Sequence, residues 1–196
     1  MPPRHPAPPA DLSSRSLPLR NVRGAWWRIY WLDKGPRYFG RAATFRWDDP
    51  LGLYGVFYAA EEEKIAFIET LMHSTSARHV RKSSLVLRGL ARVLASGELK
   101  LVDLSGAGLG HIGADNNLCT NPHYSMSQRW SRALYEHPEA PDGIYYRSRR
   151  DPSGMSVALF DRSDAKLRVV PECGLADASF TRKLGEILDH YQFGLF

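Results

Sequence analysis

The chain has 196 residues, 43% hydrophobic, 24% charged and 11% aromatic, with a formal net charge of +5. This is the composition of a soluble globular protein of one domain, which spans roughly 100–200 residues, and it excludes global disorder. No run approaches the ~18 apolar residues of a membrane span, and two cysteines, Cys119 and Cys173, exclude a disulfide scaffold or a four-cysteine metal site.

The positive charge is concentrated at the N-terminus. Residues 1–24 carry +3, from Arg4, Arg15, Arg20 and Arg23 against Asp11, and the remainder carries +2. The body has no Lys/Arg block interleaved with aromatics, which argues against a nucleic-acid partner. Six of the 13 prolines fall in the first 18 residues. Such a segment buries little apolar surface, so residues 1–24 are expected to form an extended, poorly ordered Pro/Arg-rich arm, with the domain occupying 25–196. The start has no apolar core of a secretory signal, so a cytoplasmic location is expected.

In chain order, WWRIYW (26–31) reads as a strand from its aromatic, β-favouring composition. Gly35 and Pro36 mark a turn, DDPLG (48–52) marks another, and LYGVFYAA (53–60) is a buried strand. Glu61–Met72 is helical: Ile65, Ile68 and Met72 recur at the 3/4 spacing, and glutamates occupy the first turn. Residues 84–95 read as a short helix followed by a strand, and LKLVDL (99–104) as a strand. SGAGLGHIG (105–113) fits G-x-G only at Gly106 and Gly108, with His111 where a dinucleotide loop needs glycine, so it reads as an ordinary loop. A helix follows at 127–137, then strands at 143–148, 155–161 and 167–170. In the last helix Phe180, Leu184, Ile187, Leu188 and Tyr191 form one stripe, with Asp177 as its cap. Strands and helices mix without regular βαβ alternation, which favours an α+β fold.

Glu69 is the most informative position. With Ile65 at the origin of a helical wheel, Glu69 falls about 40° round, at the border of the apolar stripe. A carboxylate there either meets a cation or ligand, or turns outward to pair with His73 at i+4. Arg28 interrupts an aromatic strand and Arg46 precedes the turn at 48–52. Each is a partner for a carboxylate or phosphate, or a surface arginine covering a tryptophan. Ser148 ends a strand without the GxSxG context of a hydrolase elbow. Tyr58 is a core residue or a ligand platform. The seven histidines show no metal-ligand spacing.

Together the segments WRIY, FRWDDPLGLYGVFYAAEEEKIAFIETL, LVDLSGAGLGHIGAD, SQRWSRALYEHP and DGIYYRSRRD, with LDHYQFGL at the end, resemble the RES family, named for an arginine, a glutamate and a serine. The resemblance covers most of residues 26–193 and leaves out the arm. It implies an ADP-ribosyltransferase-like α+β fold, with central, mostly antiparallel β-sheets flanked by helices. It also implies an NAD-depleting toxin paired with an Xre-like antitoxin that covers the active site. The family's arginine maps to Arg46, its glutamate to Glu69 and its serine to Ser148, as catalytic residues; Arg28 and Tyr58 map as substrate-binding residues.

The chemistry this implies is cleavage of the nicotinamide–ribose bond, which develops oxocarbenium charge as glycoside cleavage does. Glu69 would stabilise that cation, Arg28 and Arg46 would hold the pyrophosphate, Tyr58 would stack on nicotinamide or ribose, and Ser148 would bind the ribose or orient Glu69. NAD is then substrate, inorganic phosphate an optional co-substrate, and no metal is required. Water, phosphate and a protein side chain all remain open as acceptors, the last making the chain a mono-ADP-ribosyltransferase. A non-catalytic binding module with a basic arm is the third reading. The sequence leaves oligomeric state open, a homodimer included.

Overall fold

The computed structural model describes residues 6–72 and 78–196. After a 3-10 turn at Leu12–Ser14, the elements are β1 (Leu19–Val22), β2 (Ala25–Trp31), β3 (Val56–Ala60), α1 (Glu63–Leu71), β4 (His79–Val80), α2 (Lys82–Val86), β5 (Arg88–Ala95) and β6 (Leu99–Leu104). Then come α3 (Ala107–Ile112), α4 (Asn117–Thr120), α5 (Ser125–Tyr135), β7 (Gly143–Arg147), β8 (Met155–Phe160), β9 (Leu167–Gly174), α6 (Thr181–Tyr191) and β10 (Gly194–Leu195). The class is α+β, as expected. An eight-stranded sheet runs β1-β6-β7-β8-β3-β2-β5-β9, and β4 pairs with β10 in a separate two-stranded sheet. Within the large sheet β6 and β7 are parallel and the other neighbours antiparallel.

The central strands read as apolar runs because both faces are covered. On one face Val56, Ile144 and Phe160 pack with Leu118 and Trp130 from α4 and α5. Further along that face Ile29, Ala60 and Leu90 pack with Phe67 of α1 and Leu184 and Ile187 of α6. On the other face Trp26, Phe57, Val93, Leu101 and Val157 form a third cluster. Tyr58 falls between the two clusters of the first face by strand alternation. There β2 and β3 share one paired position, Trp27 opposite Ala60, so the sheet opens beside Tyr58.

Three local expectations change. The strand expected from residue 53 begins at Val56, because carboxylates occupy the preceding backbone donors: Leu53 N–H donates to Asp49 Oδ2 and Gly55 N–H to Asp161 Oδ2. The glycine-rich loop contains the short helix α3, closed by Gly113 in the left-handed region at φ +81°. Asp177 accepts from Gly174 N–H and makes no side-chain capping bond to the turn that leads into α6.

The arm also differs. Within residues 6–24, β1 pairs with β6, and Leu12 and Leu17 are buried in the first cluster. Its carbonyls serve as acceptors: Trp130 Nε1–H donates to Pro6 O at 2.9 Å, Asp103 N–H to Pro18 O at 2.8 Å, and His137 Nε2 lies 3.1 Å from Leu12 O. Proline removes donors but leaves carbonyls, so an extended proline-rich segment docks where neighbouring side chains and backbone supply the donors. The apolar anchors make this packing testable. Leu12→Ala should lower unfolding free energy by about 2–3 kcal/mol, the lower part of the range for a buried Leu→Ala change. Urea denaturation checks it, and an unchanged midpoint would show that the arm does not contribute to the core.

Candidate active site

The β7–β8 hairpin and α1 meet at one end of the sheet. β8 lies between β7 and β3, so the hairpin turn and the chain leaving β3 emerge side by side. Glu61 N–H donates to Met155 O at 3.0 Å, fixing the approach to α1. Gly154 then lies under the helix: a Cβ added there would stand 2.2 Å from Ile65 Cδ1, so a side chain at this position would force Ile65 out of its present packing. One helical turn after Ile65, Glu69 projects on the same side, over residues 148–151.

The contact that results is specific. Ser148 Oγ–H donates to Glu69 Oε1 at 2.5 Å, and Arg150 N–H donates to the same oxygen at 3.0 Å. Ser148 Oγ accepts from Asp151 N–H at 3.0 Å, and Ser148 N–H donates to Gly154 O at 3.0 Å. Asp151 is itself held by Tyr191 Oη–H at 2.8 Å, and its hydrogen bonds keep its carboxyl pKa below the usual value despite the opposing desolvation. Ser148 is 1% exposed, whereas Glu69 is half-buried. Among the described residues Glu69 Oε2 accepts no hydrogen bond, so the carboxylate is oriented through one oxygen and open at the other. His73, the alternative partner for Glu69, lies outside the described residues.

Arg46 comes from the loop between β2 and β3, which is held by buried polar groups. Asp48 Oδ2 accepts from Thr44 and Phe45 N–H, each at 2.9 Å, and Asp48 Oδ1 accepts from Tyr58 Oη–H at 2.8 Å. Tyr58 Oη in turn accepts from Trp47 N–H at 2.9 Å. Gln128 Nε2 donates to Ala43 O and Phe45 O, and Ser131 Oγ to Trp47 O, so α5 grips the loop from above. Burial, reinforced by Asp48, pushes the Tyr58 phenol well above its ordinary pKa and keeps it a neutral donor.

Arg46 is 7% exposed. Its Nη1 donates to Leu118 O at 3.2 Å and its guanidinium lies 4.7 Å from the Tyr124 ring centroid. Burial lowers its pKa; Tyr124, Tyr146 and Cys119 oppose that shift, and the nearby positive Arg149 adds to it. Tyr146 joins the two halves of the site. Its ring meets Trp47 edge-on at 5.4 Å, and burial together with the neighbouring Glu69 carboxylate raises its phenol, while Arg46 pulls the other way.

Arg28 alternates with Trp26 onto the face of the third cluster, beside the opening between β2 and β3 and opposite the face that carries Tyr58 and Tyr146. Its Nη2 donates to Tyr38 O at 2.8 Å, its Nη1 to Tyr58 O at 3.2 Å, and its guanidinium lies 3.9 Å from the Phe57 ring centroid. Burial lowers its pKa to about 10, with Tyr58 opposing, and its buried Nε has no hydrogen-bond partner. Among the described residues both Arg28 and Arg46 donate only to carbonyl oxygens. Buried cations without carboxylates are costly and favour an anionic ligand.

The structure therefore brings Glu69 and Ser148 into direct contact, sets Arg46 and Tyr58 around Tyr146, and leaves Arg28 linked to the group through the Tyr58 carbonyl. Tyr146 and the Arg150 N–H are additions to the residues expected from the sequence. Tyr146 is recoverable there, since Ile144, Tyr146 and Ser148 alternate onto one face of β7. Two open grooves of about 420 Å³ lie away from these groups: one includes Trp27, Glu62 and Lys183, the other Leu104, Asn116 and Arg147. Among the described residues no group of three or more His, Cys, Asp or Glu could hold a metal, and no helix is long and apolar enough to cross a membrane.

Known proteins share this arrangement of segments. The family model of the RES domain matches residues 25–182. A Sinorhizobium fredii protein named "Probable toxin y4kH" is 36% identical over 93 residues, which cover 47% of this chain and 71% of that one. The crystal structure of the M. tuberculosis MbcT–MbcA toxin–antitoxin complex contains a similar fold, at TM-score 0.64 and 14% identity, over 95% of this chain and 97% of the matched one.

Tyr58→Phe should cost about 1–3 kcal/mol, because it leaves Asp48 Oδ1 and Trp47 N–H unpaired in a buried loop. Urea unfolding and hydrogen exchange at the Trp47 amide check this; a protected amide at unchanged stability would remove the tyrosine from its place in the loop. The raised phenol also gives a pH signature. The unfolded phenol ionises near about pH 10 while the folded one stays protonated, so stability falls as pH rises past that value. Tyr58→Phe should flatten that slope.

Proposed function

The chain belongs to the RES domain family, and from that membership we propose that it is the toxin of a toxin–antitoxin pair that consumes NAD by cleaving the nicotinamide–ribose bond. The named S. fredii relative and the fold shared with the MbcT–MbcA complex support the toxin reading. Its partner in this reading is an Xre-like antitoxin.

One observation carries the chemistry: among the described residues, a carboxylate fixed by two donors on Oε1 and with no partner on Oε2 shares Tyr146 as a neighbour with a buried arginine that has no carboxylate partner. As the C1′–N bond breaks, its electron pair passes to the nicotinamide ring, which leaves neutral, and positive charge develops on the ribose. Glu69 Oε2 stabilises that charge. Because Ser148 and Arg150 already orient the carboxylate, little reorganisation accompanies the step, and a partly desolvated site strengthens the attraction. Nicotinamide needs no proton to leave, so the site requires no general acid for departure.

Arg46 binds the anionic diphosphate, whose oxygens match its forked donors. Arg28, over the Phe57 ring on the opposite face, acts on the site through its hydrogen bond to Tyr58 O, and the half-buried ring of Tyr58 offers a surface for nicotinamide or ribose. Ser148 acts through Glu69 as a positioning residue. Water as acceptor gives ADP-ribose and releases a proton to solvent; inorganic phosphate gives a ribosyl phosphate.

The test is nicotinamide release by the purified chain from NAD, with and without inorganic phosphate, and identification of the ribosyl product. Glu69→Gln should reduce turnover by about 10²-fold or more while folding is retained, in line with loss of a preorganised electrostatic group. Arg46→Ala should chiefly raise the Michaelis constant if diphosphate binding is equal in ground and transition states. Full turnover by Glu69→Gln would overturn the assignment. Label appearing on a protein target, with negligible release in its absence, would replace NAD depletion with protein ADP-ribosylation.

A further inference from the structure

We propose that Tyr191, at the end of the last helix, is a positioning residue for the Glu69 carboxylate and acts on it through Asp151 and Ser148. Its catalytic consequence rests on the NAD reading; the relay itself rests on hydrogen bonds. Tyr191 Oη–H donates to Asp151 Oδ2 at 2.8 Å. Asp151 Oδ1 accepts from Ser153 N–H at 3.1 Å and from Ser153 Oγ–H at 2.6 Å, so both carboxylate oxygens are engaged. The turn closes on itself through Gly154 N–H to Asp151 O and Ser148 N–H to Gly154 O, each at 3.0 Å. Asp151 thus ties a self-closed turn to α6.

The backbone of the same residue sets the sense of the Ser148–Glu69 contact. A serine hydroxyl has one proton and two acceptor lone pairs. Asp151 N–H occupies the acceptor side of Ser148 Oγ at 3.0 Å, which leaves the hydroxyl proton for Glu69 Oε1. The second donor to that oxygen, Arg150 N–H, belongs to the same turn. A turn loosened at Asp151 therefore loses its hold on both donors that orient Glu69.

Tyr191 is itself held firmly. Arg78 Nη2 donates to Tyr191 O at 3.2 Å and to Gln192 O at 3.3 Å. Gln192 closes α6 in the left-handed region at φ +55°, with Phe193 N–H donating to Leu188 O at 2.9 Å. Leu184, Ile187 and Leu188 seat α6 in the cluster that also holds Ile65 and Ile68 of α1, and Tyr191 packs against it. The last helix therefore reaches Glu69 twice, through the core under α1 and through one phenol on the turn opposite. Burial, then Asp151, and further Glu62 and Glu69 raise that phenol, which keeps it a neutral donor.

The test compares Tyr191→Phe and Asp151→Ala in the full chain. Hydrogen exchange at the Arg150 and Asp151 amides reads the turn without any turnover. Both amides should exchange about tenfold faster in Tyr191→Phe, while those of β7 and α6 keep their protection. Nicotinamide release reads the carboxylate: kcat should fall about tenfold with the Michaelis constant within about twofold, because a misaligned Glu69 is felt chiefly in the transition state. The double variant should lose no more than Asp151→Ala alone, since both changes delete one contact.

A lowered unfolding midpoint with unchanged turn exchange and unchanged kcat would overturn the proposal and leave Tyr191 a purely structural group. Multiplying losses in the double variant would also overturn the relay. If the turn amides respond but the unmodified chain releases no nicotinamide, the NAD reading fails and the positioning of Glu69 stands. If Tyr191→Phe releases nicotinamide at the full rate with unchanged exchange, the NAD reading stands and the relay falls.

Discussion

The hydrogen bond between Ser148 and Glu69 is the constraint around which the site is arranged. It joins positions 79 residues apart, and it forms because strand order puts two chain reversals at the same end of the sheet. β3 delivers α1 there, and the β7–β8 hairpin delivers its turn. The absence of a side chain at Gly154 lets the helix settle onto the turn, and a carboxylate four residues after Ile65 then meets Ser148 and the Arg150 N–H. A methyl group at residue 154 would collide with the buried Ile65 side chain, so the same contact that packs the helix on the turn also bears on the Glu69–Ser148 geometry.

Charge is distributed to avoid self-neutralisation. Glu69 and Arg46 do not pair; the neutral phenol of Tyr146 senses both. A direct ion pair would satisfy both groups and leave each with little attraction for a ligand of opposite charge. Among the described residues, keeping them apart leaves a carboxylate with one open oxygen and an arginine with spare donors, each held by neutral neighbours. The tyrosines suit this task because burial keeps their hydroxyls protonated, and Tyr58 shows how one such hydroxyl donates to Asp48 while accepting from Trp47. Loop rigidity comes from that relay instead of from regular secondary structure.

Much of the fold is legible in the sequence because its signals are local. The aromatic run at 26–31, the 3/4 spacing in α1 and the stripe of α6 each identify an element without reference to the rest of the chain. Glu69 is legible for the same reason, as a carboxylate at the border of an apolar helical face. Arg46 is harder. Its acceptor, Leu118 O, lies 72 residues away, and its loop is fastened by Gln128 and Ser131 of a helix whose docking no local pattern records. The strand boundary expected at residue 53 shifts because side-chain carboxylates compete for backbone donors, a contest between local partners that composition does not decide.

The N-terminal segment extends that argument. Proline content reads as weak packing, yet the same helix that fastens the Arg46 loop also binds the segment: Ser131 Oγ holds Trp47 O, and the adjacent Trp130 donates to Pro6 O. Trp130 and Trp47 share a core cluster with Leu12 and Leu17. The segment thus closes the outer side of the layer whose inner side supports the arginine loop. Removing it would expose apolar surface on α5 and loosen the element that orients Arg46, without touching Glu69 or Ser148. What the composition marks as an appendage is, in the packed molecule, part of the support for the site.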